Sequence, residues 1–148
     1  MTDASEAMRD YLMRGWQVER RVQAREAQLD TLRDRMTRVR SAAPKGPAGE
    51  IRGPRVDWTD AVDALADAEA VYLKEIAEMC AVKKAIRTQI EAVEPAHYRE
   101  LLEYRYVYCL SWDDVADKLG YDRRYVFKLH NRALKALIEE ADHGQGAV

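Results

Sequence analysis

Three prolines and three glycines crowd into residues 44–54: Pro44, Gly46, Pro47, Gly49, Gly53 and Pro54. The 43 residues before them hold no proline and one glycine, Gly15, and the next proline is Pro95. Proline lacks a backbone N–H and glycine is entropically costly to order, so 44–56 reads as a loop between two long uninterrupted segments. In the first segment apolar residues step by three and four through Met8, Tyr11, Val18, Val22, Leu29, Leu32, Met36 and Val39. Gly15 and Arg25 stand as two flaws in this heptad seam. The spacing predicts one helix from about Asp3 to Ala42, roughly 60 Å long at 1.5 Å per residue.

The second segment repeats the pattern. Asp57 is placed to cap it, with Asp60 three residues on. Its seam runs through Trp58, Val62, Leu65, Tyr72, Ile76, Met79, Ile86, Ile90 and Val93, interrupted by Glu69 and Lys83. Glu94-Pro95 should end it, because a residue before proline avoids helical geometry. Two long helices joined by a short loop should fold back antiparallel, since a lone helix gains most of its stability from packing its apolar face. Residues 1–56 carry 12 basic and 8 acidic side chains, a net +4, and residues 57–94 carry 4 and 9, a net −5. Opposite charge should favour the pairing, at about 0–1 kcal/mol for each exposed pair. The expected fold is all-α: a long antiparallel coiled-coil hairpin over 1–94, a C-terminal module over 96–140, and a Gly-containing disordered tail over 141–148. The hairpin is a candidate homodimer contact or a docking arm.

Composition narrows the class. The chain has 148 residues, 34% charged and 8% aromatic, and a formal net charge of −2. That profile suits charged helices and argues against a histone-like protein. Cys80 and Cys109 are too few and too isolated for a disulfide framework or a CxxC metal site. No apolar run is long enough to span a membrane, and MTDASEAMRD has no apolar signal core. A soluble cytoplasmic protein without membrane partners is expected.

The C-terminal segment carries the functional signal. Tyr98, Leu101, Leu102, Arg105, Tyr106 and Cys109 follow helical spacing, predicting a helix from His97 to about Leu110. Ser111 with Asp114 three residues later predicts a capped helix over Trp112–Leu119. Gly120 suits the left-handed position past its end, and Asp122 can cap a helix from Arg123 to about Glu140. This is the helix-turn-helix layout, with small Ala116 at the crossing and Val115, Leu119, Tyr121, Val126 and Leu129 on the shared face.

The last helix has two faces. Val126, Leu129, Ala133 and Leu137 form an inward stripe. Arg124, Lys128, Asn131 and Lys135 form an outward one, flanked by Arg123, Phe127 and Arg132. Residues 118–135 hold six basic side chains against one acid, Asp122. Arg and Lys match guanine edges, Asn matches adenine, and Phe can meet a thymine methyl, so Arg124 and Lys128 are candidate base readers. Arg123 and Arg132 are candidate phosphate contacts, which position without specifying. The alternative for Phe127 is simple packing. For His130 the choices are packing or a DNA-backbone contact.

The tract LLEYRYVYCLSWDDVADKLGYDRRYVFKLHNRALKAL resembles the helix-turn-helix of region four in bacterial sigma factors. It is closer still to small phage-encoded sigma-like regulators, which place a coiled-coil segment before this module. The strong likeness covers residues 98–138. The resemblance implies a phage or prophage transcriptional regulator, often of late genes, with double-stranded DNA as partner and host RNA polymerase as a candidate second partner. Sigma proteins carry Arg-Glu and then Arg-Gln along the recognition helix where this chain has Arg123-Arg124 and Phe127-Lys128. A different DNA site is therefore expected, and there is no room for the promoter-melting region two.

No catalytic set is expected, and neither a cofactor nor a metal. His97, His130 and His143 are dispersed, no Gly-rich phosphate loop follows a strand, and Asp113-Asp114 suit a helix N-terminus. Two other functions fit the layout: a DNA-packaging protein of small-terminase type, and a polymerase-binding adaptor.

Overall fold

The computed structural model describes residues 3–41 and 58–146. The regular elements among the described residues are all helices, with no strand among them. The helices are α1 (Asp3–Leu12), α2 (Arg14–Ser41), α3 (Trp58–Glu91), α4 (Ala96–Leu102), α5 (Trp112–Leu119) and α6 (Arg123–Gly146). A short π-helix, Glu103–Val107, follows α4. The expected loop 44–56 and the Asp57 cap lie outside the described residues. Among the described residues no helix is long and apolar enough to cross a membrane.

The chain divides into two compact units. One comprises Met1–Glu19 with Glu78–Val148, and the other is Arg20–Ala77. The boundary expected at residue 95 is therefore not where the packing divides. The reason is burial. Leu12, from the N-terminal segment, and Ile86, Ile90 and Val93, from the second segment, belong to one core cluster with Leu101, Leu102 and Tyr106. Each such fully buried aliphatic side chain is worth about 1.5–3 kcal/mol.

In that first unit the expected single N-terminal helix is nicked at Met13, although the Met13 N–H still donates to the Arg9 carbonyl at 2.9 Å. Gly15, two residues on, is no flaw. A Cβ there would stand 2.7 Å from the Tyr106 carbonyl oxygen, so only glycine permits this approach. Lys83, which interrupts the second seam, donates to Glu19 at 2.5 Å across the two helices. The helix expected from His97 to Leu110 also departs from expectation. It becomes a π-turn after Leu102 and stops at Cys109, whose φ of 54° is left-handed. That turn brings the Leu110 N–H onto the Tyr104 carbonyl at 3.0 Å.

The second unit is thinner. Val22 and Leu29 of α2 are buried, and Leu32, Met36, Leu65, Tyr72 and Ile76 are half-buried. Charged side chains reach across: Arg25 meets Glu75 at 3.3 Å and Arg33 meets Glu69 at 3.4 Å. Arg25 and Glu69, which break the apolar patterns, thus take part in ion pairs between the helices. Such exposed pairs add little stability.

Candidate nucleic-acid interface

Local chemistry sets the α5–α6 corner. The Ser111 hydroxyl accepts from the Asp114 N–H at 3.2 Å, capping α5. Asp113 and Asp114 lie in the first turn, where the helix dipole favours negative charge. Gly120 ends α5 at φ 75°, a left-handed value that costs glycine little, and its N–H donates to the Ala116 carbonyl at 2.9 Å. Two residues later the Asp122 carboxylate accepts from the Tyr125 N–H at 2.8 Å and starts α6.

α6 packs against α1, α4 and α5. Val126, Leu129, Ala133 and Leu137 are buried as expected, and Leu134 joins them. Arg123, Arg124, Phe127, Lys128, Asn131, Arg132 and Lys135 are all exposed on the outer side of the same helix. One departure concerns Tyr121, expected on the shared face. It is 41% exposed and stacks edge-to-face on Tyr125, with centroids 4.9 Å apart. Another concerns the end of α6. Residues 141–146 are helical rather than disordered, and Ile138 and Ala141 line a hollow with Ala4, Met8 and Tyr11 of α1. An apolar neighbour outweighs the weak helix propensity of Gly144 and Gly146.

Two of the seven exposed residues already have partners within the chain. Phe127 packs edge-to-face on Trp112 at 5.1 Å while staying 40% exposed. The Arg123 guanidinium lies 5.5 Å from the Phe127 ring centroid and meets Asp113 at 3.4 Å. Both members of that ion pair are well exposed, so water and salt screen it and Arg123 can exchange partners easily.

Beneath this surface is a buried polar cluster that periodicity did not reveal. The Arg105 guanidinium is sandwiched between Trp16 and Trp112, at 4.4 and 4.3 Å from the ring centroids. The Arg105 Nη1 donates to the Leu110 carbonyl at 2.9 Å, and the Trp16 indole N–H donates to the Arg105 carbonyl at 2.7 Å. The Arg105 Nε is buried with no hydrogen-bond partner among the described residues. Burial lowers the Arg105 pKa, partly offset by Tyr106 and Cys109 nearby. Burial likewise raises the Cys109 thiol.

Tyr106 and His130 complete the cluster, with the hydroxyl oxygen 2.5 Å from Nε2. His130 is 5% exposed. Burial first, and then the positive charges of Arg9 and Arg105, push its pKa down to about 3. Burial pushes the Tyr106 hydroxyl up to about 12, against a smaller opposite pull from Arg105. At neutral pH a protonated tyrosine and a neutral imidazole therefore share this hydrogen bond, its direction set by the imidazole tautomer. Of the two roles open to His130, packing is the one found: it holds α6 to the helix before α5. Arg105 was legible only as one position in a helical repeat. The signal for its role was the concentration of Trp16 and Trp112 in a chain with three tryptophans.

The geometry defines an all-helical protein in which one helix buries an apolar stripe and turns a predominantly basic one outward. Among the described residues, no group of three or more His, Cys, Asp and Glu side chains is placed to hold a metal ion. Residues 51–138 match a family of proteins of unknown function, DUF1492, and the chain belongs to that family. No curated protein and no solved structure matches it.

Proposed function

We propose that this chain is a sequence-specific DNA-binding regulator of phage or prophage transcription, without enzymatic activity. In this reading α5 and α6 act as a helix-turn-helix and α6 enters the major groove of double-stranded DNA. The observation that carries it is the division of α6. Its buried stripe ties it to a rigid core, while Arg124, Lys128, Asn131, Arg132 and Lys135 stand exposed along one side. Recognition helices present base-reading residues near their N-terminus. Arg124 and Lys128 are in that position and read bases, with Asn131 available to adenine. Arg123, Arg132 and Lys135 contact phosphate, Arg123 by leaving Asp113. Phe127 supports the helix through Trp112 and offers its outer edge to a thymine methyl.

The α2–α3 pair serves as a coiled-coil arm that sets oligomeric state or engages a partner such as host RNA polymerase. If two copies join through it, the half-sites lie about one helical turn apart, roughly 34 Å or a multiple.

Selection of DNA from a random pool by the full chain tests the proposal. An enriched motif is expected, and Lys128→Ala should relax one position of it at a cost of about 1–3 kcal/mol. A pool that emerges without a motif overturns sequence-specific regulation. Recovery of large rings by light scattering would instead favour the packaging role.

A further inference from the structure

Two tyrosines stand where α6 begins, Tyr121 in the turn before it and Tyr125 in its first turn. They are 41% and 39% exposed, and their rings meet edge-to-face. Both backbones are pinned. The Tyr121 N–H donates to the Ala116 carbonyl at 3.1 Å, and the Tyr125 N–H to the Asp122 carboxylate at 2.8 Å. Neither phenol hydroxyl makes a hydrogen bond among the described residues. Ring packing alone does not need a hydroxyl, since phenylalanine would stack as well. Helical phase places the pair beside the basic stripe. From buried Val126, Tyr125 lies about 100° to one side and Phe127 about 100° to the other. Arg132, seven residues after Tyr125, returns to within about 20° of it. The stripe of Arg124, Lys128 and Lys135 therefore runs between a Tyr125–Arg132 flank and an Arg123–Phe127 flank.

We infer that the Tyr121–Tyr125 pair is an uncharged contact to the DNA backbone, its hydroxyls donating to phosphate oxygens of the strand that Arg132 also meets. This rests on the reading of α6 as a recognition helix. An α-helix with its side chains is about 10–12 Å across and the major groove about 12 Å wide, so a seated helix brings both flanks to phosphates. Arg123 serves one wall of the groove, and Arg132 with the two tyrosines serves the other. Tyrosine hydroxyls are regular donors to phosphate, and such contacts fix register without reading sequence. The two kinds of donor on that wall do different things. An arginine neutralises a phosphate and releases a counterion, which makes its contribution fall with salt. A phenol O–H carries no charge, so it adds a directed hydrogen bond whose strength does not follow the counterion exchange. Ring packing and the two backbone hydrogen bonds hold the pair in place beforehand, so little side-chain freedom is lost on binding.

The test is fluorescence anisotropy of the full chain on two labelled duplexes of unrelated sequence, each across a series of salt concentrations. The Tyr121→Phe/Tyr125→Phe double variant keeps both rings and removes only the hydroxyls. It should weaken binding to both duplexes at least about three-fold at every salt concentration. The slope of log affinity against log salt should stay at the wild-type value, whereas Arg132→Ala should make it shallower by about 0.9. The denaturation midpoint of the double variant should match that of wild type. Undiminished affinity in the double variant overturns the inference, and a loss on Arg132→Ala in the same experiment leaves the DNA reading standing. A wild-type chain that binds neither duplex overturns that reading and the inference with it. A shallower slope in the double variant, a loss on one duplex alone, or a fall in its midpoint would each give the hydroxyls another role and also overturn the inference.

Discussion

The two units are built from the same kind of helix yet held together differently. The unit formed by Met1–Glu19 and Glu78–Val148 has a three-dimensional core, with Leu12, Leu102, Tyr106, Leu129 and Leu137 almost wholly withdrawn from water. Among the described residues of the unit Arg20–Ala77 there is a seam, with Val22 and Leu29 buried and the other described apolar residues half-covered or exposed. Two helices cannot enclose a side chain on all sides, whereas several crossing helices can. The first unit therefore holds its surface residues in fixed positions, as a site for a stiff ligand requires. Among its described residues the second leaves Val62, Val71 and Leu73 exposed.

Truncation should separate the two most strongly. Leu102→Ala removes a fully buried side chain and should cost about 2–5 kcal/mol, read as a fall in the thermal or denaturant midpoint. Leu32→Ala, at a half-buried seam position, should cost about 1 kcal/mol or less. Similar losses at both positions would erase the distinction.

Two glycines give a further contrast, within the first unit. Gly15→Ala pushes a Cβ to 2.7 Å from the Tyr106 carbonyl oxygen, a backbone atom that cannot swing away. A loss of about 1–3 kcal/mol is expected. Gly144→Ala meets nothing within 4 Å and should be neutral or stabilising by up to about 1 kcal/mol.

A graded effect comes from pH. His130 has its pKa lowered in the folded chain from 6.5 to about 3. Between those values the unfolded chain binds a proton that the folded chain refuses. The contribution of neutral His130 is thus complete above about pH 6.5 and is lost as the pH falls toward 3. The limiting slope for one proton is about 1.4 kcal/mol per pH unit. Denaturation midpoints of wild type and His130→Phe should diverge across this window, with the variant flatter. Parallel curves would remove His130 from the account.

Legibility in the sequence followed the range of the interaction. Ser111, Gly120 and Asp122 act on backbone groups within four residues, and their residue types alone announced the corner between α5 and α6. The two faces of α6 were legible because burial follows helical period over adjacent turns. Gly15 looked like a defect because the carbonyl it accommodates belongs to Tyr106, ninety-one positions later. Arg105 was hidden for the same reason, since it is held by rings on either side of it in sequence, Trp16 and Trp112. The extension of α6 beyond Glu140 depends on α1 in the same way. Tyr121 fell on the expected apolar phase, but in the turn after Gly120 that phase no longer points inward.

The central claim, that the outer face of α6 binds duplex DNA, is tested most directly by titrating mixed-sequence duplex with the full chain across a series of salt concentrations. Each phosphate neutralised should contribute about −0.9 to the slope of log affinity against log salt. Arg132→Ala should make that slope shallower by about one contact while leaving the denaturation midpoint unchanged. A flat salt dependence, or a slope that Arg132→Ala and Lys135→Ala both leave untouched, would contradict the claim.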